Sequence, residues 1–497
     1  MTFNSYIFIL LFLPLCLLGY FVLNQFRHYR LGLILLIGMS LWFYGYFNPR
    51  YLNIICSSVI FNYIVYRILQ KTPVTKQGEE VQRNRRRRKF VFIGGLVFNI
   101  GLLGYFKYMD FFIENINLIF RTDFALRNIL LPLGISFFTF QQLSFLVDVY
   151  KDRGGILYSF LEYAAYVTYF PQLVAGPIVT HDVLVPQLQD EERKHLDFNY
   201  LSKGIILFTF GLAKKVLLAD VFGNFVNLAY ADVNALNATT AFFAMLAYTF
   251  QIYFDFSGYS DMAIGLGWMM NIDLPINFDS PYKALSVTEF WKRWHMTLTA
   301  FFTKYVYIPL GGNRKSVVRT YVNIFIVFLL SGFWHGAGWT FILWGIMHGL
   351  AQMLERILKK YWSKLHPAFS WLMAFGFVNV AWIYFRAESI TDAHIILAKM
   401  LSFHFGAISS EMVAVFSQPE WMLLWSKFAP GVLETYNNIN MVLYFAVAAV
   451  MVLAFPNAKY VAEKCTSKRS TPFLVALLLT WCIFSFTGVS TFLYFNF

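Results

Sequence analysis

One histidine of this chain lies inside an apolar stretch. His335 belongs to the run SGFWHGAGWTFILWGIMHG, residues 331–349, which is long and apolar enough to lie within a bilayer. An ionisable side chain at membrane depth costs about 2.5–3.5 kcal/mol on insertion scales, so those present usually serve a site or a partner. His335 is therefore a candidate for chemistry within the membrane. A packed, hydrogen-bonded core histidine fits the residues equally well.

The geometry of a helix limits how His335 and a later histidine can meet. If Thr320 begins a helix near the cytoplasmic surface, His335 lies about 22 Å along it, past the midplane. His348 follows 13 residues later and falls on a different face of any continuous helix. Gly336 and Gly338 can end that helix, which would still let the two imidazoles approach. The sequence predicts a structural role for His348.

The elements that must position these residues are membrane helices. The 497 residues are 58% hydrophobic and 13% charged, whereas about a quarter of a soluble domain is charged. Several apolar stretches approach the roughly 20 residues that cross a bilayer, and shorter ones are expected to be tilted or re-entrant. The candidate spans are Ser5–Asn24, Leu31–Phe47, Leu52–Leu69, Phe90–Phe106, Leu131–Val149, Gly204–Phe222, Thr320–Trp334, Trp339–Leu358, Trp371–Phe385, Met441–Phe455 and Pro472–Phe495.

The net charge of +13 is explained by topology and does not require a nucleic-acid partner. The basic residues are grouped between the apolar stretches, which the positive-inside rule assigns to the cytoplasm. The run RNRRRRK is the strongest such group and is predicted to set topology or contact anionic lipids. This orientation places both termini outside, together with the segment 387–437, which is either a docking surface or a plain connecting loop. The groups are Arg27 and Arg30, Arg83–Lys89, Lys214 and Lys215, Arg314 and Lys315, Lys359 and Lys360, and Lys464–Arg469.

Two further polar blocks precede His335. The block YFDFSGYSDMAIG carries Asp255 and Asp261 in an apolar stretch. These carboxylates could form an ion or proton pathway, but structural pairing with Lys292 or Arg293 is the favoured interpretation. The block Glu289–Ser316 mixes aromatic and charged residues, so it fits an amphipathic or re-entrant element that lines an aqueous cavity on the cytoplasmic side.

Six blocks occur in order between Leu131 and Gly349: LPLGISFFTFQQLSFLVDVY, FPQLVAGPI, YFDFSGYSDMAIGLG, EFWKRWHMTLT, YIPLGGNR and SGFWHGAGWTFILWGIMHG. Together they resemble the membrane-bound O-acyltransferase (MBOAT) family, in its bacterial branch of alginate O-acetyltransferase membrane subunits, and the hydrophobic flanks also fit. The resemblance implies an all-α polytopic membrane protein with one domain, residues 1–497, and a motif core at 131–349. About 11 transmembrane helices, with re-entrant or interfacial helices, would surround a central tunnel.

The resemblance also implies the chemistry. The family's catalytic histidine matches His335, and His295 stands where many relatives carry asparagine or aspartate and this branch carries histidine. An imidazole, with an ordinary pKa of about 6.5, can take the proton of a hydroxyl that attacks a thioester. His335 is therefore assigned as general base, and His295 as a second polar group that orients the acceptor or stabilises the oxyanion. No metal is needed, and the four cysteines show no ligand spacing.

The implied reaction crosses the bacterial cytoplasmic membrane. Acetyl-CoA would enter from the cytoplasm as acyl donor, with no permanently bound cofactor. Its phosphates would favour a basic mouth at Lys304, Arg314 and Lys315, although topology explains these cations equally well. An extracytoplasmic SGNH-type acetyltransferase or related partner would finish the transfer onto a polysaccharide, most simply an alginate-like exopolysaccharide. Membrane lipids are the remaining expected partners.

Three alternatives stay open. Peptidoglycan or cellulose O-acetylation belongs to the same branch and is not distinguished by these motifs. D-alanyl transfer to teichoic acid shares the fold and histidines, but the chain continues for 148 residues beyond Gly349, more than is expected of such proteins. A transporter, from a different class, would move its substrate without covalent transfer.

Overall fold

Helices make up most of the part of the chain that the computed structural model describes. That part comprises residues 1–71, 79–152, 155–362, 364–419, 422, 427, 433–466, 468–486 and 492–493. It contains no strand. Within a bilayer an α-helix satisfies all its backbone polar groups internally, so an apolar chain of this composition folds this way. The predicted all-α class is confirmed.

The helices divide into three groups along the chain. The first is α1 (Leu13–Gln25, after a π-helical turn Phe8–Phe12), α2 (Tyr29–Gly45), α3 (Arg50–Gln70), α4 (Glu79–Leu103), a π-helical turn Gly104–Tyr108 and α5 (Met109–Phe120). The second is α6 (Ile135–Asp152), α7 (Phe160–Thr168), α8 (Phe170–Leu173), α9 (His181–Gln189), α10 (Phe198–Ala213), a π-helical turn Lys214–Ala219, α11 (Asp220–Ala231) and α12 (Ala238–Met269). The third is α13 (Val287–Arg293), α14 (Met296–Phe302), a π-helical turn Thr303–Tyr307, α15 (Val317–His335), α16 (Trp339–Ile357), α17 (Lys359–Trp362), α18 (Pro367–Arg386), α19 (Ile390–Leu401), α20 (Ser410–Ala414), α21 (Leu433–Leu453), α22 (Ala458–Cys465) and α23 (Thr471–Phe484). Short 3₁₀ turns cover Glu192–Lys194, Val233–Ala235 and Pro281–Lys283.

Apolar helices long enough to cross a membrane recur along the described part of the chain. Six described helices meet that description: Phe8–Gln25, Arg50–Gln70, Gln82–Phe120, Val317–His335, Pro367–Arg386 and Tyr436–Leu453. Two shorter apolar helices, α2 and α23, add to them. Termini on one side of a membrane require an even number of full crossings, so eleven crossings and the predicted orientation do not agree with each other. The last predicted span and the segment 387–437 lie partly outside the described residues.

Two ion pairs inside the protein correct the sequence-based account of its charges. Lys214 Nζ lies 2.6 Å from Asp261 Oδ2, and Lys215 Nζ lies 2.6 Å from Asp255 Oδ1. All four side chains are at most 12% exposed. Structural pairing of the two α12 carboxylates is therefore right, but the predicted cations, 292 and 293, are wrong. The lysines at 214 and 215 were predicted in a cytoplasmic loop, whereas they lie within the helical run from α10 to α11.

Close packing of α15 against α16 fixes the position of His335, the last residue of α15. A Cβ on Gly332 would lie 2.4 Å from the carbonyl oxygen of Phe341, and one on Gly345 would lie 2.5 Å from that of Phe328. Neither position has room for a side chain, so the two helices touch through their backbones. This contact fixes the end of α15 against α16.

Candidate active site

His335 is the last residue of α15. Gly336 follows it in an extended conformation, and α16 begins at Trp339 after Gly338. The predicted break of the helix between these glycines is confirmed. The helix starts at Val317, three residues before the predicted start, so its axis places His335 about 27 Å from its first residue. The His335 side chain is buried, with 3% of the residue exposed.

Aromatic rings surround the His335 imidazole. Its centroid lies 4.9 Å from that of Trp334, 5.1 Å from that of Trp344 and 5.2 Å from that of Phe385. The imidazole of His295 lies 6.5 Å away, centroid to centroid. The fold thus brings together the two histidines singled out from the sequence, although 40 positions separate them in the chain.

His295 occupies a strained backbone position at the start of α14. Its φ of 45° and ψ of 51° are left-handed, a region that non-glycine residues seldom adopt and that recurs at functional sites. Asn277 holds the following residues, since its carbonyl oxygen accepts from the Met296 amide at 3.0 Å. Its side-chain oxygen accepts from the Thr297 hydroxyl at 2.6 Å. These bonds direct the His295 side chain into the core, where the residue has no exposed surface.

The helix that precedes His295 is held by a carboxylate from another helix. Glu355 of α16 accepts hydrogen bonds from the amide and the hydroxyl of Thr288, at 2.9 and 2.8 Å. It also accepts from the amide of Val287, the first residue of α13. A carboxylate at a helix N-terminus satisfies amides that lack an intrahelical partner and favours the helix dipole. The placement of α13, and of the residues that follow it, thus depends on Glu355.

Trp344 lies between His348 and His335. The Nδ1 of His348 accepts a hydrogen bond from the Trp291 indole at 3.1 Å, which assigns the proton of the neutral ring to Nε2. Trp344 packs against both imidazoles, 5.1 Å from His335 and 4.8 Å from His348. His348 thus anchors the indole of α13 and supports one wall of the site.

A small cavity adjoins His335. Its volume is about 20 Å³, room for about one water molecule. This volume is far below that of the pantetheine-wide tunnel that the acyl-donor hypothesis requires. None of its lining residues comes from the block Glu289–Ser316. The lining consists of Lys107, Leu131, Pro132, Leu133, Gly134, Ile135, Ser136, Phe137, Val174, Trp334 and His335.

Two residues that the sequence analysis did not single out hold the end of α15. Lys107 Nζ donates to the carbonyl oxygens of Trp334 and His335, at 2.6 and 3.0 Å. The Tyr108 hydroxyl donates to the carbonyl oxygen of Phe333 at 2.7 Å. The final carbonyls of a helix have no intrahelical donor, and a cation there also favours the helix dipole. The lysine was detectable, since it is a lone cation within the apolar run 90–120, but the predicted span ended at 106.

Of the predicted donor-binding cations, two lie at the opposite end of α15 from His335, and the third contacts a carboxylate. Arg314 and Lys315 are exposed and precede α15, so the length of that helix separates them from His335. Lys304 Nζ lies 3.0 Å from Asp148 Oδ2. The same carboxylate also accepts from the Tyr305 hydroxyl at 2.6 Å. Lys304 is therefore already paired, whereas no ion pair among the described residues involves the other two cations.

Two buried histidines thus lie close together in a protein whose described helices include six that are long and apolar enough to cross a membrane, and comparison with known proteins gives its class. Residues 2–391 match the model of the membrane-bound O-acyltransferase family. The chain belongs to that family and is an O-acyltransferase, as predicted from the motifs.

Three relatives have names that refer to peptidoglycan, alginate or teichoic acid. The chain is 41% identical over 430 residues to the peptidoglycan O-acetyltransferase of Helicobacter pylori, covering 81% of this chain and 80% of the relative. It is 39% identical over 410 residues to the probable alginate O-acetylase AlgI of Pseudomonas aeruginosa, covering 81% and 75%. The teichoic acid D-alanyltransferase of Bacillus subtilis is 24% identical over 373 residues, covering 69% and 91%.

Proposed function

We propose that this O-acyltransferase moves an acetyl group from cytoplasmic acetyl-CoA across the bacterial cytoplasmic membrane for O-acetylation of an extracytoplasmic polysaccharide. The observation that carries the proposal is the pair of buried histidines, 6.5 Å apart, with His335 on the wall of a cavity. A buried imidazole beside a cavity at membrane depth suits proton transfer in a place from which bulk water is excluded. The O-acetyltransferase relatives support acetyl as the acyl group.

In the proposed reaction His335 acts as general base. The acceptor hydroxyl attacks the thioester carbonyl carbon while its proton passes to the imidazole. The tetrahedral intermediate then expels the thiolate of CoA, which takes the proton back from His335. His295, held in its left-handed conformation, orients the acceptor or stabilises the negative oxygen of the intermediate.

The donor would bind at the cytoplasmic end of α15. Arg314 and Lys315 are exposed there and can contact the CoA phosphates. Lys304 would join them only by exchanging its contact with Asp148. Because α15 separates this basic end from His335 by about 27 Å, the acetyl group must pass along a tunnel that is wider than the cavity observed.

The acceptor and the partner protein lie on the outer side in this proposal. An alginate-like exopolysaccharide is the first candidate acceptor, with an SGNH-type acetyltransferase or related partner completing the transfer at the outer segment 387–437. Peptidoglycan is the second candidate, favoured by the relative of Helicobacter pylori at 41% identity. The chain would act as one domain, 1–497, around the core 131–349.

Radiolabelled acetyl-CoA supplied to the cytoplasmic face of proteoliposomes tests the reaction. Label on an alginate oligomer or a peptidoglycan fragment, added on the outer side with the partner, is expected from a transferase and identifies the acceptor. Intact substrate on the outer side would show a transporter instead. His335→Ala should abolish transfer, and His404→Ala, at an exposed histidine, is the matched control. Full transfer by a normally inserted His335→Ala variant would overturn the assignment.

The orientation is tested in intact cells with single cysteines in a cysteine-free background. Both termini are proposed to lie outside, so Ser409→Cys should react with an impermeant thiol reagent and Gln82→Cys should not. Both positions are exposed, and thus the side of the membrane decides the result. The reverse pattern would place the donor on the wrong side and refute the direction of transfer.

A further inference from the structure

Lys107 has a hydrogen-bonding capacity that its contacts within the protein do not exhaust. An ammonium group carries three N–H donors. Two of them go to the carbonyl oxygens of Trp334 and His335. Among the residues that the structure describes, no other oxygen or nitrogen accepts from the third, and Nζ faces the Trp334 ring, 5.9 Å from its centroid. Lys107 also lines the cavity beside His335, so the remaining donor is available to a group that enters this space.

We propose that Lys107 is a catalytic residue, whose third N–H binds the carbonyl oxygen of the acyl donor and stabilises the oxyanion formed from it. The inference rests on the proposed acyl transfer and identifies the positive group that this transfer needs. Lys107 and His335 both line one cavity of about 20 Å³. In this proposal a carbonyl oxygen that enters the cavity lies beside both residues.

The step balances with these two residues. The hydroxyl oxygen of the acceptor forms a bond to the acyl carbon, and its proton moves to the imidazole of His335. The π electrons of the carbonyl group move to its oxygen, whose negative charge is met by the ammonium of Lys107. When the electron pair on the oxygen re-forms the carbonyl π bond, the carbon–sulfur bond breaks. The thiolate leaves and takes the proton from His335. Lys107 donates its hydrogen bond to the oxygen without transferring its proton.

Fastening α15 does not by itself require a lysine. The neighbouring Tyr108 shows this, since its neutral hydroxyl satisfies the carbonyl oxygen of Phe333. A cation at membrane depth is costly, and those that are present usually mark a functional site. The π-helical turn Gly104–Tyr108 turns both side chains toward the end of α15. Such turns recur at functional sites.

The first turn of α6 also lines the cavity, and the amides of Ile135, Phe137 and Phe138 donate to nearby carbonyl oxygens. The amide of Ser136 has no acceptor within the described part of the chain. A helix N-terminus is the positive end of its dipole. The cavity lining therefore includes a helix N-terminus as well as Lys107, and both favour an oxyanion.

The kinetic test uses Lys107→Met in proteoliposomes, with the acceptor that the wild-type protein labels. The variant keeps the volume of the aliphatic chain and removes the charge and the donors. Loss of one oxyanion donor lowers kcat by about 10²–10³-fold. The KM for acetyl-CoA should stay within about threefold, because this bond strengthens mainly in the transition state. Tyr108→Phe removes a bond to the same helix end outside the cavity and should lower kcat by less than about tenfold.

A spectroscopic measurement separates this role from a structural one. Acetyl-CoA with an isotope label at the acetyl carbonyl is bound to His335→Ala, where no transfer occurs, and the carbonyl stretch is recorded by infrared difference spectroscopy. A shift to lower frequency than in free acetyl-CoA is expected, because the ammonium polarises the bond. In the double variant His335→Ala with Lys107→Met, the carbonyl band should return to its frequency in free acetyl-CoA.

Two results would overturn the proposal. One is a carbonyl band that is the same with and without Lys107. The other is a Lys107→Met variant whose loss of kcat matches that of Tyr108→Phe, which would assign both residues to fastening α15. A wild-type protein that transfers no acetyl group would instead refute the proposed function, so the two failures are distinguishable.

Discussion

The buried pair Lys214–Asp261 supports a quantitative prediction about stability. Its atoms lie 2.6 Å apart, and the two side chains are 12% and 9% exposed. Lys214→Met keeps the side-chain volume but leaves the Asp261 carboxylate buried without its cation. Removing one partner of a buried ion pair costs about 3–5 kcal/mol. The free energy of unfolding, measured by denaturant titration in detergent micelles, should fall by that amount.

A double variant separates the pair from the individual side chains. Replacing both charges, in Lys214→Met with Asp261→Leu, removes the orphaned carboxylate, and apolar replacement of a buried pair is often neutral. The double variant should therefore recover to within about 1 kcal/mol of wild type. Asp190→Asn, in a half-exposed pair with Arg193, is the control and should cost no more than about 1 kcal/mol. Additive losses in the double variant would refute the argument.

Three further predictions concern the positioning of the site. Gly332→Ala places a methyl group 2.4 Å from a backbone oxygen of α16, so it should destabilise the protein by about 1–3 kcal/mol in denaturant titrations; Gly376→Ala, with nothing within 4 Å, should stabilise it by about 0.5–1 kcal/mol. Glu355→Ala removes charged hydrogen bonds to α13 and should cost about 1.5–3 kcal/mol, with a parallel loss of acetyl transfer in proteoliposomes. Trp291→Phe removes the bond to His348 and should cost about 0.5–1.5 kcal/mol, with transfer rates kept within a few-fold; abolished transfer in a stable variant would contradict a structural role for His348.

Local patterns predicted the local features of the site. The glycines at 336 and 338 indicated the end of α15, because residues there are free to leave the helix, and the helix ends at His335. The motif blocks gave the family and the all-α class, since both depend on residue types in a fixed order. The distance along α15 followed from helix geometry, with an error of three residues at its start.

Contacts between distant segments were beyond such patterns. The cation that pairs with Asp261 is 47 positions away in the chain, and several lysines and arginines were equally compatible partners. Choosing among them requires knowledge of which helices pack together. The left-handed backbone of His295 precedes two residues that bond to Asn277, a contact that a pattern of residue types does not reveal. The size of the cavity likewise depends on how side chains from separate segments fill the space.

The contact between Lys107 and the end of α15 was missed because the predicted span Phe90–Phe106 ended one residue too early. A span drawn to 106 places Lys107 in a loop, where a cation needs no explanation. The structure continues the helix to Phe120, and the same lysine then lies 227 positions from the carbonyl oxygen that it binds. Three successive carbonyl oxygens, those of Phe333, Trp334 and His335, have no intrahelical donor and accept instead from Lys107 and Tyr108. The position of His335 therefore depends on the turn 104–108 as well as on its own helix, and a rule that treats every membrane-depth cation as a candidate site would have found it.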